Sequence, residues 1–143
     1  MDNLENGMKD LQFEHIGITV NNIEESLASL KRHFKTEAVS EVYRDNLQNV
    51  AILFLNASGI KIELIAPLDR NKKSPIDNLL KKNVAYYHLC FRTSCFEENI
   101  ADLIKNGAME IVKPIPAVAF GNKKITFLFL GGLGLIEVVE KHD

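Results

Sequence analysis

Hydrophobic and polar positions along the chain follow two rhythms, and the order in which the rhythms appear occurs twice. Residues 13–20 and 86–93 are short β-rich runs with period-two alternation, each carrying one early histidine, His15 and His88. After the first run, Asn22 followed three residues later by Glu25 predicts a capped helix, and Ile23, Leu27, Leu30 and Phe34 recur at helical spacing behind it. After the second run, Ser94 and Glu97 predict the same capping box, with Ile100, Leu103 and Ile104 as the apolar stripe and Gly107 as the stop. Three strands are then predicted in each half. In the first they cover 38–44, 49–55 and 60–66, separated by polar turns at Asp45-Asn46 and at 56–59. In the second they cover 110–115, 124–129 and 134–139, with turns at Phe120-Gly121-Asn122 and Gly131-Gly132.

Each half therefore reads β-α-β-β-β, and the last strand of each holds a glutamate at its apolar centre, Glu63 and Glu137. From His15 to Glu63 is 48 positions and from His88 to Glu137 is 49, an internal repeat of about 73 residues. The connector predicts one short helix, with Ser74 as N-cap and Pro75 at the first helical position. It is too short and too structured for a flexible linker. The expectation is one α+β domain over 11–143, made of modules 11–66 and 85–140 joined by a connector at 67–84.

Composition narrows the function classes. A chain of 143 residues is about one domain and buries roughly 70% of its unfolded surface, enough to fold without staples. No apolar run approaches the roughly 20 residues that span a bilayer, so no membrane segment is expected. A net charge of -2 and a pI near 6.1 offer no broad positive field for nucleic acid, which leaves a small molecule as the expected partner. Cys90 and Cys95 are too close along one segment to resemble a secreted disulfide framework and read as free thiols. The acidic N-terminus lacks the basic start and apolar stretch of a secretion signal, so the expected location is cytoplasmic.

The repeated histidines and glutamates are the candidate chemistry. Side chains two apart in a strand share a face, so His15, Gly17 and Thr19 point away from Ile16, Ile18 and Val20, which face the helix. The same parity sends His88, Cys90 and Arg92 away from Leu89 and Phe91, and sends Glu63 and Glu137 away from their Ile, Leu and Val neighbours. A carboxylate set in an apolar strand costs several kcal/mol unless something pairs with it. Two neutral imidazoles and two carboxylates around a divalent cation make a set of net charge zero. The predicted metal ligands are His15, Glu63, His88 and Glu137, and with no thiolate the set suits Ni²⁺, Co²⁺, Zn²⁺, Mn²⁺ or Fe²⁺. The competing reading is a pair of His-Glu salt bridges. His33 and His142 sit at no repeated position and are expected to be solvated.

His15-Ile16-Gly17-Ile18, Lys61-Ile62-Glu63-Leu64, Tyr87-His88-Leu89 and Leu135-Ile136-Glu137 resemble the vicinal-oxygen-chelate superfamily. That superfamily includes glyoxalase I, methylmalonyl-CoA epimerase, extradiol dioxygenases and bleomycin-resistance proteins. The resemblance covers nearly all of 13–140 and implies paired β-α-β-β-β modules forming a half-open mixed β barrel around a metal site, with a homodimer as the working form. The His, Glu, His, Glu order resembles bacterial glyoxalase I and some epimerases, and 121–128 and the connector look closest to epimerases and small clostridial glyoxalases. The reading this favours is a glyoxalase I-like lyase of the lactoylglutathione lyase type, isomerising the hemithioacetal of a 2-oxoaldehyde and a thiol. Glu137 would take the proton, Glu63 would return it, and Arg92 and Thr19 would contact the substrate. A methylmalonyl-CoA epimerase-like enzyme acting on an acyl-CoA and a non-catalytic drug-binding protein are the alternatives. Two departures accompany the resemblance: Leu47 stands where epimerases usually carry a glutamate, and Thr19 and Pro67 stand where glyoxalase I grips glutathione.

Overall fold

The computed structural model describes residues 10–141, so His142 lies outside the described residues. Among the described residues are nine strands and three helices, an α+β arrangement whose strand pairing is mixed and whose sheet stays open. The chain divides into two compact units, one running His15–Tyr87 and the other joining the segment up to Glu14 with His88 onward. No helix is long and apolar enough to cross a membrane.

The first unit holds most of β1 (Gln12–Thr19), then α1 (Ile23–His33), β2 (Thr36–Ala38), β3 (Tyr43–Asp45), β4 (Val50–Ala57), β5 (Ile60–Pro67) and α2 (Asp77–Lys81). Its strands lie in the order β2-β4-β5-β1, with β3 also pairing β4. β1 and β5 run parallel and β4 and β5 antiparallel. The Asn22 side chain caps α1 as expected, accepting from the Glu25 N–H at 2.9 Å. Ile23, Leu27 and Leu30 then pack on Leu53, Leu55 and Leu64. Each such side chain contributes about 1.5–3 kcal/mol when fully buried. Phe34 does not continue the stripe: it is the extended C-cap and 56% exposed.

The strand expected at 38–44 is two short strands. The Ser40 hydroxyl accepts the Phe54 N–H at 2.9 Å and donates to the Glu41 carbonyl at 2.8 Å, which draws the backbone off the ladder between β2 and β3. The connector helix also starts later than Ser74 and Pro75 predict. Ile76 is fully buried and serves as N-cap, and the Ser74 N–H donates instead to the Asp77 carboxylate at 2.9 Å.

The second unit takes most of β6 (Tyr86–Thr93), then α3 (Phe96–Lys105), β7 (Met109–Ala117), a 3₁₀ turn (Val118–Phe120), β8 (Lys123–Leu130) and β9 (Gly134–Glu140). Its order is β6-β9-β8-β7, with β6 and β9 parallel and the other neighbours antiparallel. Phe96 and Ile100 of α3 pack with Leu128, Ile136 and Val138, while Ile104 is left 41% exposed. Gly107 ends the helix at φ +106°, a conformation open mainly to glycine.

The capping box expected from Ser94 and Glu97 does not form. Cys95 is the N-cap, and its N–H donates to the Thr93 hydroxyl at 2.9 Å. Ser94 instead donates to the Asp10 carboxylate at 2.7 Å, and Thr93 and Asn99 donate to the same carboxylate. The Thr93 and Ser94 hydrogen bonds, in that order, hold the Asp10 carboxyl below the usual carboxylate range. The segment before β1 has thus drawn the Ser94 hydroxyl away from the cap that local sequence assigns it, and Glu97 pairs instead with Lys124 at 3.0 Å.

Candidate metal centre

In both units the same small device recurs on the strand face turned away from the helix. His15 lies on β1 and Glu63 on the parallel strand β5, where Glu63 is in register with Gly17, two residues beyond the histidine. His88 lies on β6 and Glu137 on the parallel strand β9, where Glu137 is in register with Cys90, again two residues beyond. This diagonal offset brings His15 Nε2 to 3.3 Å from Glu63 Oε1 and His88 Nε2 to 3.1 Å from Glu137 Oε1. All four residues are buried, with relative exposures of 0–4%.

A third residue completes each device, and sequence reading missed it. Phe54 on β4 is directly opposite Glu63, and Phe127 on β8 is directly opposite Glu137. Each ring packs edge-on against the histidine of its own unit, with centroids 5.3 Å apart for His15 and Phe54 and 5.5 Å apart for His88 and Phe127. The signal was present, because Phe54 and Phe127 repeat at 73 positions just as His15 and His88 do. They were hidden among the apolar residues that any strand core contains.

The donor set fits a divalent ion. Two bonds of about 2.1 Å meeting at 90–109° leave their donor atoms roughly 3.0–3.4 Å apart, the edge length of a coordination shell. Both His-Glu pairs have that spacing. Taken together the four buried residues offer two imidazole nitrogens and two carboxylate oxygens, a set able to hold a metal ion. Cys90, fully buried on the His88 face, and Cys95 form no disulfide among the described residues.

The remaining candidates are placed differently. Arg92 donates from Nε to Gln12 at 3.2 Å and from Nη1 to the buried Glu14 carboxylate at 3.3 Å. Thr19 is buried and its hydroxyl donates to the Val84 carbonyl at 2.8 Å, along the wall of a small cavity of about 160 Å³. Leu47 sits in the turn after β3 and is 65% exposed; the buried Asp45 closes that turn by accepting from the Gln48 backbone and side chain. His33 is exposed, as expected.

Comparison with known proteins agrees with this geometry. Residues 14–127 match the family model described as the Glyoxalase/Bleomycin resistance protein/Dioxygenase superfamily. The chain is 29% identical over 134 residues to the mitochondrial methylmalonyl-CoA epimerase of Dictyostelium discoideum, a match covering 91% of this chain and 78% of that protein. It is 29% identical over 119 residues to the human mitochondrial methylmalonyl-CoA epimerase, covering 82% of this chain and 65% of the human one. Among solved structures, methylmalonyl-CoA epimerase from Mycobacterium tuberculosis superposes with a TM-score of 0.75 at 25% identity, covering 92% of this chain and 89% of that one. These relatives overturn the glyoxalase I-type lyase expected from the His, Glu, His, Glu order. The ligand order is common to several reactions on this fold, whereas similarity along the whole chain runs to epimerases.

Proposed function

Because the chain belongs to the glyoxalase/bleomycin resistance protein/dioxygenase superfamily, we propose that it is a metal-dependent epimerase of a 2-branched acyl-CoA, the reaction class of its methylmalonyl-CoA epimerase relatives. The observation that carries the proposal is the repetition of one buried His-Glu-Phe device in both halves at matching register. His15, Glu63, His88 and Glu137 would hold one divalent ion in a single domain built of the two modules. That ion, when bound, supplies Lewis-acid stabilisation of the negative charge that develops on the thioester oxygen, worth several kcal/mol.

The chain's own residues move the proton. Glu137 takes the hydrogen from C2 of the acyl group, so that the C2–H bond breaks and its electron pair shifts toward the thioester carbonyl. Glu63 delivers a proton to the other face of C2, and the two carboxyls exchange protons with solvent before the next turnover. Leu47 has no proton to give, so the second acid must come from elsewhere, and Glu63 is the matching carboxyl of the repeat. Burial of both glutamates keeps water from competing for the carbanion. Arg92 and Thr19 are assigned to the substrate rim; the Thr19 hydroxyl, having donated to Val84, keeps only its lone pairs for a ligand. The working form is read as a homodimer, supported by the exposed apolar side chains of Met109 and Phe129, paired across β7 and β8.

The test is deuterium exchange. Protein loaded with Co²⁺ or Ni²⁺ and given methylmalonyl-CoA in D₂O is expected to place deuterium at C2 and to racemise the substrate. Failure to exchange or racemise it with any of the five candidate ions would remove the epimerase reading.

A further inference from the structure

Arg92 stands at the end of β6 beside a cavity of about 270 Å³ that no step of the proposed chemistry uses. The cavity lies wholly within the second unit, where β6 and β9 end side by side with Arg92 in register with Val139. Its wall carries three cations, Arg92, Lys123 and Lys141, against two carboxylates, Glu14 and Glu140, with the Phe120 ring alongside. Both carboxylates already accept hydrogen bonds: Glu14 from Arg92, and Glu140 from the Lys124 backbone N–H at 2.8 Å.

The arginine is braced on one side only. Its Nε and Nη1 donate to Gln12 and Glu14, and the Glu14 side chain is only 6% exposed. Among the described residues no hydrogen bond engages Nη2, and the Arg92 side chain is 45% exposed. An arginine fixed by a buried acid, with its outer edge free and two lysines nearby, is a preorganised receptor for an oxyanion. Bracing removes much of the entropy that a loose surface arginine would lose on binding.

Size and distance narrow the oxyanion. The cavity is smaller than the roughly 300–1,000 Å³ of sites that enclose a whole ligand, so it suits one end of a longer molecule. Arg92 is four residues beyond His88 on the same strand face, roughly 13 Å at 3.3 Å per residue. A ligand reaching both must carry its anion on an extended arm, which is how an acyl-CoA carries its phosphates relative to the thioester. Phe120 adds an apolar surface of the kind a purine ring covers.

We infer that this cavity binds the phosphorylated nucleotide end of the substrate, with Arg92, Lys123 and Lys141 as its phosphate contacts. The inference rests on the acyl-CoA reading above. Two measurements on the metal-loaded protein test it: calorimetric titration with adenosine 3′,5′-bisphosphate, and KM for acyl-CoA against the same acyl group on pantetheine. The bisphosphate should bind with an affinity that falls as salt is added, and should bind about tenfold or more weakly to Arg92→Gln. Lys123→Gln with Lys141→Gln, which leaves the Arg92 brace intact, should weaken it too, and Arg92→Lys should recover part of the loss. KM for the pantetheine thioester should exceed that for acyl-CoA about tenfold, a gap that Arg92→Gln closes.

Equal KM for the two thioesters would overturn the inference while leaving the epimerase reading in place. So would bisphosphate affinity untouched by all three variants, or malonate binding as tightly as the bisphosphate. If neither thioester reacts, the epimerase reading falls, and the titration alone still decides whether the cavity takes phosphate.

Discussion

The two halves of this protein share a buried His-Glu-Phe core and differ at its border. In each, a buried histidine meets a buried glutamate two registers along a parallel strand, and a phenylalanine packs against the imidazole. Past that trio the halves diverge. The first half carries Lys61, whose ammonium lies 4.7 Å over the Phe54 ring, where the second has the apolar Leu135. The second carries the braced Arg92 and its cavity, where the first has Thr19 turned to a backbone carbonyl. The same buried His-Glu-Phe arrangement thus stands in both halves, at matching strand register.

The largest effect expected from breaking this comparison is on the two acids. With saturating metal, Glu137→Gln should lower turnover about 10²–10⁴-fold and abolish C2 deuterium exchange in the epimer whose hydrogen faces Glu137. Glu63→Gln should slow racemisation comparably yet leave solvent exchange at C2 measurable, because Glu137 can still remove and return the proton on one face. Full racemisation in Glu63→Gln would show that the second half works alone.

The histidines test whether the pairs are equivalent. In metal-free protein, His15→Ala and His88→Ala each take the imidazole away from a buried carboxylate, and each should cost about 3–5 kcal/mol in denaturant unfolding. Both should also release the ion under mild chelation. A variant that stays stable and keeps its metal would remove that half from the site.

A smaller asymmetry concerns two left-handed asparagines at repeat-related places, Asn49 at φ +58° and Asn122 at φ +65°. The Asn49 amide donates to the carbonyls of Asp69, Lys72 and Lys73 and accepts the Asp69 N–H, tying down the start of the connector. Asn49→Ala should cost about 2–4 kcal/mol from lost hydrogen bonds and backbone strain together, and Asn122→Ala about 1–2 kcal/mol from strain alone. Equal losses in thermal unfolding would mean that the Asn49 side chain contributes little.

The smallest effect is pH-dependent and belongs to the second unit. The folded Asp10 carboxyl titrates below its ordinary value near 3.8, so its stabilising hydrogen bonds are fully present above that value and are lost as pH falls through the lower folded one. Wild type should therefore be more stable than Asp10→Asn at neutral pH, with the gap narrowing below about pH 4. A gap constant down to pH 2 would deny Asp10 that role.

Much of this was legible in the chain. The 73-residue repeat, the β-α-β-β-β order, the Asn22 cap and the outward face of the four candidate ligands all follow from local periodicity and parity, which the backbone imposes wherever a strand or helix forms. What local pattern could not supply was register. That Glu63 meets His15 through a two-residue offset, that Phe54 and Phe127 stand behind the imidazoles, and that Asp10 takes the Ser94 hydroxyl ahead of α3 depend on segments many residues apart. The cavity beside Arg92 arises the same way, from Glu14, Phe120 and Lys141, which no window of sequence contains. Parity is a property of one strand; register and cavity are properties of how strands pair and chain segments pack, and only the tertiary structure decides those.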